Sequence, residues 1–269
     1  MRSDGADPTG GRTSGRRGRR LAAVAASLLL ASCVGEAEVA DAPNNTTGDS
    51  AKVSAAGSGA GADGGGANGP AAAADAAAPR VLVVGTSLTA GLGLDPSDAY
   101  PAVLQQKADS AGYAVRIVNA GLSGETSAGL ARRMDWVPRE PAAAVVIETG
   151  ANDGLRGLDA DSLRANLRRI VETVRARQPD ARIVLVQMEA PPNFGPEYTA
   201  SFRRAFADVA RETGATLTPF LLEGVAGVRS LNQGDGIHPN EEGARRAAAS
   251  IWPALAPVLD SLDRARPSG

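Results

Sequence analysis

The sequence predicts an α/β domain, a parallel β-sheet covered by helices on both faces. Three observations lead there. Short apolar runs rich in Val, Ile and Leu recur along the chain, and segments with helical spacing separate them. The runs are continuously apolar rather than alternating, the pattern of strands buried on both faces. Strands that alternate with helices call for parallel pairing, because each crossover returns the chain to the same edge of the sheet. Polar turns follow several of the runs, and in such sheets ligands bind at the carboxyl ends of the strands.

In order, residues 81–84 (Val-Leu-Val-Val) form the first strand, followed at once by Gly85-Thr86-Ser87. Residues 98–111 have helical spacing, with Ala99, Val103, Leu104 and Ala108 on one side. Residues 115–118 form a second strand ending at Asn119-Ala120-Gly121, and residues 126–133 a short helix. Residues 142–147 form a third strand, which runs into Gly150-Ala151-Asn152-Asp153-Gly154. A long helix covers residues 160–177, a fourth strand 182–186, another helix 197–213, and a short fifth strand includes Thr216-Leu217. A glycine-rich loop leads to Gly236. Pro239 suits the first position of the last helix, where its missing N–H does no harm, and that helix runs to about Leu259.

The folded domain is expected over residues 80–262, enough for a sizeable core, with a C-terminal tail at 263–269. Residues 34–79 are almost all Ala, Gly, Asp, Asn, Ser and Thr; this composition buries too little apolar surface to offset chain entropy and predicts a disordered linker. Residues 1–33 have the form of a signal peptide: a basic stretch ending Arg16-Arg17-Gly18-Arg19-Arg20, then an apolar core at 21–30 that is short for a bilayer span. The core ends in Leu30-Ala31-Ser32-Cys33, which resembles a bacterial lipobox and makes Cys33 the expected site of lipidation. An ordinary secretory leader is the other reading. The residues after the paired arginines fit a twin-arginine signal poorly, and the two Asn-x-Thr matches at Asn44 and Asn45 are read as chance. The expectation is therefore an exported envelope lipoprotein, periplasm-facing or at the outer membrane, anchored by lipid and not by a transmembrane helix.

The net charge is −2, with the basic residues concentrated at the start; there is no basic stripe or aromatic platform for nucleic acid. One Cys and one His give no ligand set for structural zinc and no internal disulfide, and no calcium loop is present. No cofactor and no metal are expected.

The single histidine, His238, lies in Asp235-Gly236-Ile237-His238-Pro239-Asn240. Imidazole is the commonest proton carrier near neutral pH, with an ordinary pKa of about 6.5. Three residues of spacing let the Asp235 carboxylate reach one ring nitrogen and fix the tautomer, leaving the other to take a proton from a serine hydroxyl. Ser87, between a strand and a helical turn, offers such a hydroxyl; a helix N-cap is the competing reading. Acyl transfer also needs donors for a developing oxyanion. Gly124 offers a backbone N–H and Asn152 a side-chain amide. Taken singly, Gly124 reads first as a turn glycine and Asn152 as a loop asparagine.

Together the segments Gly-Thr-Ser-Leu-Thr (85–89), Gly-Leu-Ser-Gly-Glu-Thr (121–126), Gly-Ala-Asn-Asp-Gly (150–154) and Asp-Gly-Ile-His-Pro-Asn (235–240) resemble the SGNH hydrolase superfamily, the GDSL esterases. The resemblance covers residues 80–260 and is closest to the thioesterase I/lysophospholipase L1 (arylesterase) branch. It implies a three-layer flavodoxin-like fold with about five parallel strands. It implies Ser87 as nucleophile, His238 as base, Asp235 as its orienting acid, and an oxyanion hole from the Ser87 and Gly124 N–H groups and the Asn152 amide. Thr86 stands where the family usually has aspartate, which puts the rigidity of that loop in question. The expected activity is a serine esterase acting through an acyl-enzyme on aryl or acyl esters, lysophospholipids or thioesters. Two alternatives stand beside it: a carbohydrate O-acetyl esterase of the same fold, and a non-catalytic envelope lipoprotein that serves as a binding module.

Overall fold

The computed structural model describes residues 78–137 and 139–264. The expected leader, Cys33 and the linker up to residue 77 lie outside the described residues. Five strands are formed: β1 (Arg80–Gly85), β2 (Arg116–Gly121), β3 (Ala144–Ile147), β4 (Arg182–Gln187) and β5 (Thr216–Phe220). They make one sheet in the order β2-β1-β3-β4-β5, every neighbouring pair parallel. The order follows from burial. β1, β3 and β4 are almost wholly buried and occupy the centre, whereas β2 and β5 carry exposed positions and form the edges.

The helices are α1 (Ser87–Ala90), α2 (Tyr100–Ser110), α3 (Ser127–Arg133), α4 (Ala151–Leu155), α5 (Ala160–Arg177), α6 (Pro196–Thr213) and α7 (Glu241–Arg264). They fall into two packed groups, α2 with α7 and α3 with α5 and α6, and both α6 and α7 pack on β4 and β5. The result is a three-layer α/β domain, as the sequence predicts. Phe202 and Phe206 of α6 pack with their rings tilted, and they are fully buried, as are Leu163, Leu167 and Ile170 of the neighbouring α5. Strand order reverses between β1 and β3, which run out from the same crevice in opposite directions along the sheet. That crevice is where such folds bind ligands.

The last helix departs from expectation. It begins at Glu241, not at Pro239. Pro239 instead bridges Asn232 in a short antiparallel contact, and the Asn240 side chain accepts the Gly243 N–H at 3.0 Å, capping the helix. The helix also runs through Pro253 and Pro257 to Arg264, beyond the predicted end at Leu259 and into the expected tail. β2 extends to Gly121 and β5 to Phe220, and α4 forms where the sequence reads as a loop. No helix of the described residues is long and apolar enough to cross a membrane.

Candidate active site

The polar loops after β1, β2, β3 and β5 meet at the carboxyl edge of the sheet. At the end of β1 the N-cap of α1 is Thr86, whose Oγ1 accepts the Leu88 N–H at 3.4 Å. Ser87 is therefore the first helical residue and not the cap, and its hydroxyl is free for other work. The turn is held from below by Glu148, the residue after β3, which is fully buried. Its carboxylate accepts the Thr86 N–H at 2.8 Å, the Thr86 hydroxyl at 3.0 Å and the Thr89 hydroxyl at 2.8 Å. Since the Thr89 hydrogen points to Glu148, Tyr100 donates to Thr89 Oγ1, at 2.8 Å. Burial pushes the Glu148 carboxyl above its ordinary range, against the pull of these hydrogen bonds. Burial, with the Glu148 charge, likewise raises Tyr100. Thr86 thus ties the Ser87 turn to the end of β3 with its backbone and its side chain.

His238 reaches the same point from the loop after β5. Its Nε2 lies 2.9 Å from Ser87 Oγ and its Nδ1 2.6 Å from Asp235 Oδ2. The other Asp235 oxygen accepts the backbone N–H groups of Ile237 at 2.9 Å and His238 at 3.0 Å. These bonds, the imidazole one foremost, hold the Asp235 carboxyl well below the usual carboxylate range. An ionised carboxylate only accepts, so the ring proton sits on Nδ1 and Nε2 is left to accept from the serine. The loop is short enough to be built from local bonds: Gln233 N donates to His238 O at 2.8 Å, and the Gln233 amide to Pro239 O at 2.9 Å.

Asn152 lies in the first turn of α4. Its Nδ2 donates to the Glu125 carbonyl at 3.0 Å, which uses one amide hydrogen and leaves the other. The neighbouring Asp153 is buried and accepts the Ser127 N–H at 2.8 Å and its hydroxyl at 2.5 Å, fastening α4 to the start of α3. Gly124 has φ +78, with nothing within 4 Å of where a Cβ would lie, and its carbonyl accepts from Arg156 at 3.2 Å. Both single-residue readings of Gly124, turn former and N–H donor, are compatible with that geometry.

Ser87, Asn152 and His238 line one open cleft of about 580 Å³, within the usual range for small-molecule sites. Gly124 is not among the residues lining it. The walls are largely apolar, from Leu88, Leu155, Met188, Phe220, Leu222 and Ile237, with Pro191 and Pro192 on one side and Glu189 as a polar interruption. Leu155 and Ile237 are also exposed to solvent. The sequence located Ser87, Asn152, Asp235 and His238 and the structure brings them together. Glu148 was missed, because its partners lie 59 to 62 residues away and no local spacing signals them.

Comparison with known proteins finds relatives over the same region. The profile of the GDSL-like Lipase/Acylhydrolase family matches residues 83–246. "Esterase TesA" of Pseudomonas aeruginosa is 45% identical over 185 residues, 68% of this chain and 91% of that protein. "Thioesterase 1/protease 1/lysophospholipase L1" of Escherichia coli is 36% identical over 186 residues, 69% of this chain and 87% of the other. A solved structure of the psychrotrophic esterase EstA from Pseudoalteromonas sp., inhibited by monoethylphosphonate, superposes with a TM-score of 0.63 at 32% identity, covering 67% of this chain and 98% of that one.

Proposed function

The chain belongs to the GDSL-like lipase/acylhydrolase family and is a serine ester hydrolase, and from that premise we propose that Ser87, His238 and Asp235 carry out its reaction with Asn152, Gly124 and the Ser87 N–H as oxyanion donors. The observation that carries the reading is the chain of contacts from Ser87 Oγ to His238 Nε2 at 2.9 Å and from His238 Nδ1 to Asp235 at 2.6 Å. Ser87 Oγ attacks the ester carbonyl carbon as its proton passes to His238 Nε2. The imidazolium is stabilised by Asp235, and the oxyanion takes the N–H donors, which count most as charge develops. Collapse expels the alcohol, which leaves with the proton from Nε2. Water then attacks the acyl-Ser87 with His238 again as base, releasing the carboxylic acid and restoring the hydroxyl.

The substrates are esters of aryl alcohols or of short-to-medium acyl chains, with lysophospholipids and thioesters in the same chemical class. The aliphatic walls of the cleft support an acyl or aryl occupant over a sugar, whose hydroxyls would find few partners there. The protein is exported and held at the cell envelope by lipid on Cys33; Leu30-Ala31-Ser32-Cys33 supports this. A p-nitrophenyl ester series from acetate to palmitate, with fluorophosphonate labelling, tests the reading. Wild-type protein hydrolyses the esters and is labelled at Ser87, and Ser87→Ala does neither. A Ser87→Ala protein that keeps full activity overturns it.

A further inference from the structure

Arg133 has no part in the proposed reaction, yet its guanidinium is nearly buried, with 14% of the side chain exposed. It is the last residue of α3, and it spends its donors on three separate segments of the site. Nε and Nη2 hold the Glu125 carboxylate, Nε at 2.9 and 3.0 Å and Nη2 at 2.7 Å. Nη1 donates to the Ala120 carbonyl at 3.0 Å, and Nη2 reaches the Gly85 carbonyl at 3.4 Å. Gly85 ends β1 two residues before Ser87, Ala120 lies in β2, and Glu125 follows Gly124 directly. The Glu125 side chain is itself buried, 6% exposed, and the residue's backbone carbonyl is the group that holds the Asn152 amide at 3.0 Å.

A desolvated ion pair is a poor source of net stability, because the loss of hydration offsets most of the Coulomb attraction. Its value lies in direction: the planar fork fixes where each acceptor sits, which an ammonium on a flexible stem does not. Here two of the three acceptors, Glu125 and Gly85, lie within two residues of a proposed donor or the proposed nucleophile, and the third, Ala120, lies in the strand that leads into the Gly124 turn. We infer that Arg133, acting through Glu125, is a positioning residue that aligns Asn152 and the Gly124 turn with Ser87 and so sets the geometry of the oxyanion hole. The inference rests on the reading of Asn152 as an oxyanion donor. Arg133 touches no substrate; it decides which way the free Asn152 hydrogen points.

A double-mutant cycle separates this role from that of a simple fastener. Arg133→Met, Asn152→Ala and the double variant are compared by kcat and KM on p-nitrophenyl butyrate, with thermal unfolding measured on each. Asn152→Ala lowers kcat by roughly 10²–10³-fold. Arg133→Met is expected to lower kcat by about 10–100-fold with KM within about 2-fold, since oxyanion donors act on the transition state. The double variant falls no more than about 3-fold below Asn152→Ala, because a misaligned amide and a missing one are alike. Guanidinium ion restores part of kcat to Arg133→Ala and none to Arg133→Ala/Asn152→Ala. Multiplying losses, or a change confined to KM, overturns the inference. If the Arg133 variants do not fold, Glu125→Gln replaces them in the same cycle: losses that do not multiply support the inference, and losses that multiply overturn it. If Asn152→Ala alone leaves kcat intact, the oxyanion reading fails and the inference falls with it. Additivity with a large Asn152 effect removes only the role of Arg133.

Discussion

At the scale of single residues, the proposed reaction divides the site into groups that would meet substrate and groups that hold them. His238 is the only histidine, so no second imidazole substitutes as base. His238→Ala is expected to lower kcat/KM on p-nitrophenyl butyrate by at least about 10³-fold, as loss of a triad base does elsewhere; near-normal turnover ends the proposal. Asp235, held below the ordinary carboxylate range, stays ionised as pH falls, so a loss of activity on the acid side is not expected to come from its protonation. Glu148 behaves in the opposite sense. Its carboxyl is raised by burial, so the native state disfavours its charge relative to the unfolded chain. Above the ordinary value of 4.5 the unfolded chain is ionised freely while the fold carries the cost of desolvation; below it that cost is absent. Urea unfolding of wild type and Glu148→Gln at pH 5 and pH 8 checks the sign. The stability difference shifts in favour of the glutamine variant as pH rises, whatever its absolute value; a shift the other way shows that the hydrogen bonds outweigh burial. The two kinds of group also differ in legibility. Asp235 and His238 are three apart and Ser87 lies two residues past the end of its strand, so local spacing reveals them. Glu148 acts on residues 59 to 62 positions away, and Arg133 reaches Gly85 across 48, so only the fold brings those partners to them.

Among the elements, the central strands were readable because burial on both faces leaves an unbroken apolar run. β2 was not fully readable: its last residues, Asn119-Ala120-Gly121, are those of a polar loop, yet they pair in register with Val83-Val84-Gly85. There Asn119 does double work, donating to Thr89 O at 2.7 Å and accepting the Gly121 N–H at 3.0 Å. The start of α7 was misplaced by reading Pro239 as a helix-opening proline, when Asn240 supplies the cap and Pro239 belongs to the histidine loop. The close fit of that helix explains why its entry matters. Gly243, in its first turn, lies against the Leu231 carbonyl, and a Cβ there would come within 2.1 Å of the oxygen. The Asn240 N–H bonds the same carbonyl at 3.0 Å, one residue from Pro239 and two from His238. Gly243→Ala is therefore expected to push helix and loop apart. Overpacking of this kind costs about 1–3 kcal/mol, equivalent to a fall in Tm of roughly 2–12 °C for a domain this size, and kcat falls with it. Gly234→Ala, where the same test meets nothing within 4 Å, is the matched control for thermal unfolding. Equal Tm in the two variants shows that α7 can slide without cost.

For the whole molecule, chain direction separates the chain's entry to the domain from the candidate site. β1 starts at Arg80, so the preceding segment joins the domain at the amino edge of the sheet, while Ser87 and His238 lie at the carboxyl edge. An enzyme anchored through Cys33 must therefore turn its site back towards the membrane to reach a lipid ester there. The distance is set by the domain itself: a chain of about 185 residues has a radius of gyration near 16 Å, or about 40 Å across. Residues 34–79 comprise 46 positions, mostly Ala, Gly and small polar residues. As a random coil, a segment of this length would have an r.m.s. reach of roughly 35–40 Å, matching that diameter, whereas ten residues would reach only about 15–20 Å. Two measurements follow. Mass spectrometry of the mature N-terminus finds Cys33 first and acylated, and Cys33→Ala moves the protein from the membrane to the soluble fraction; several acyl chains anchor stably where one holds only marginally. Shortening the spacer to ten residues leaves hydrolysis of soluble p-nitrophenyl butyrate unchanged and lowers hydrolysis of lysophospholipid embedded in the same membrane. An unmodified Cys33 in a wholly soluble wild-type protein removes the anchor and leaves a secreted or periplasmic esterase. An anchored protein indifferent to spacer length shows that its substrates reach it from solution.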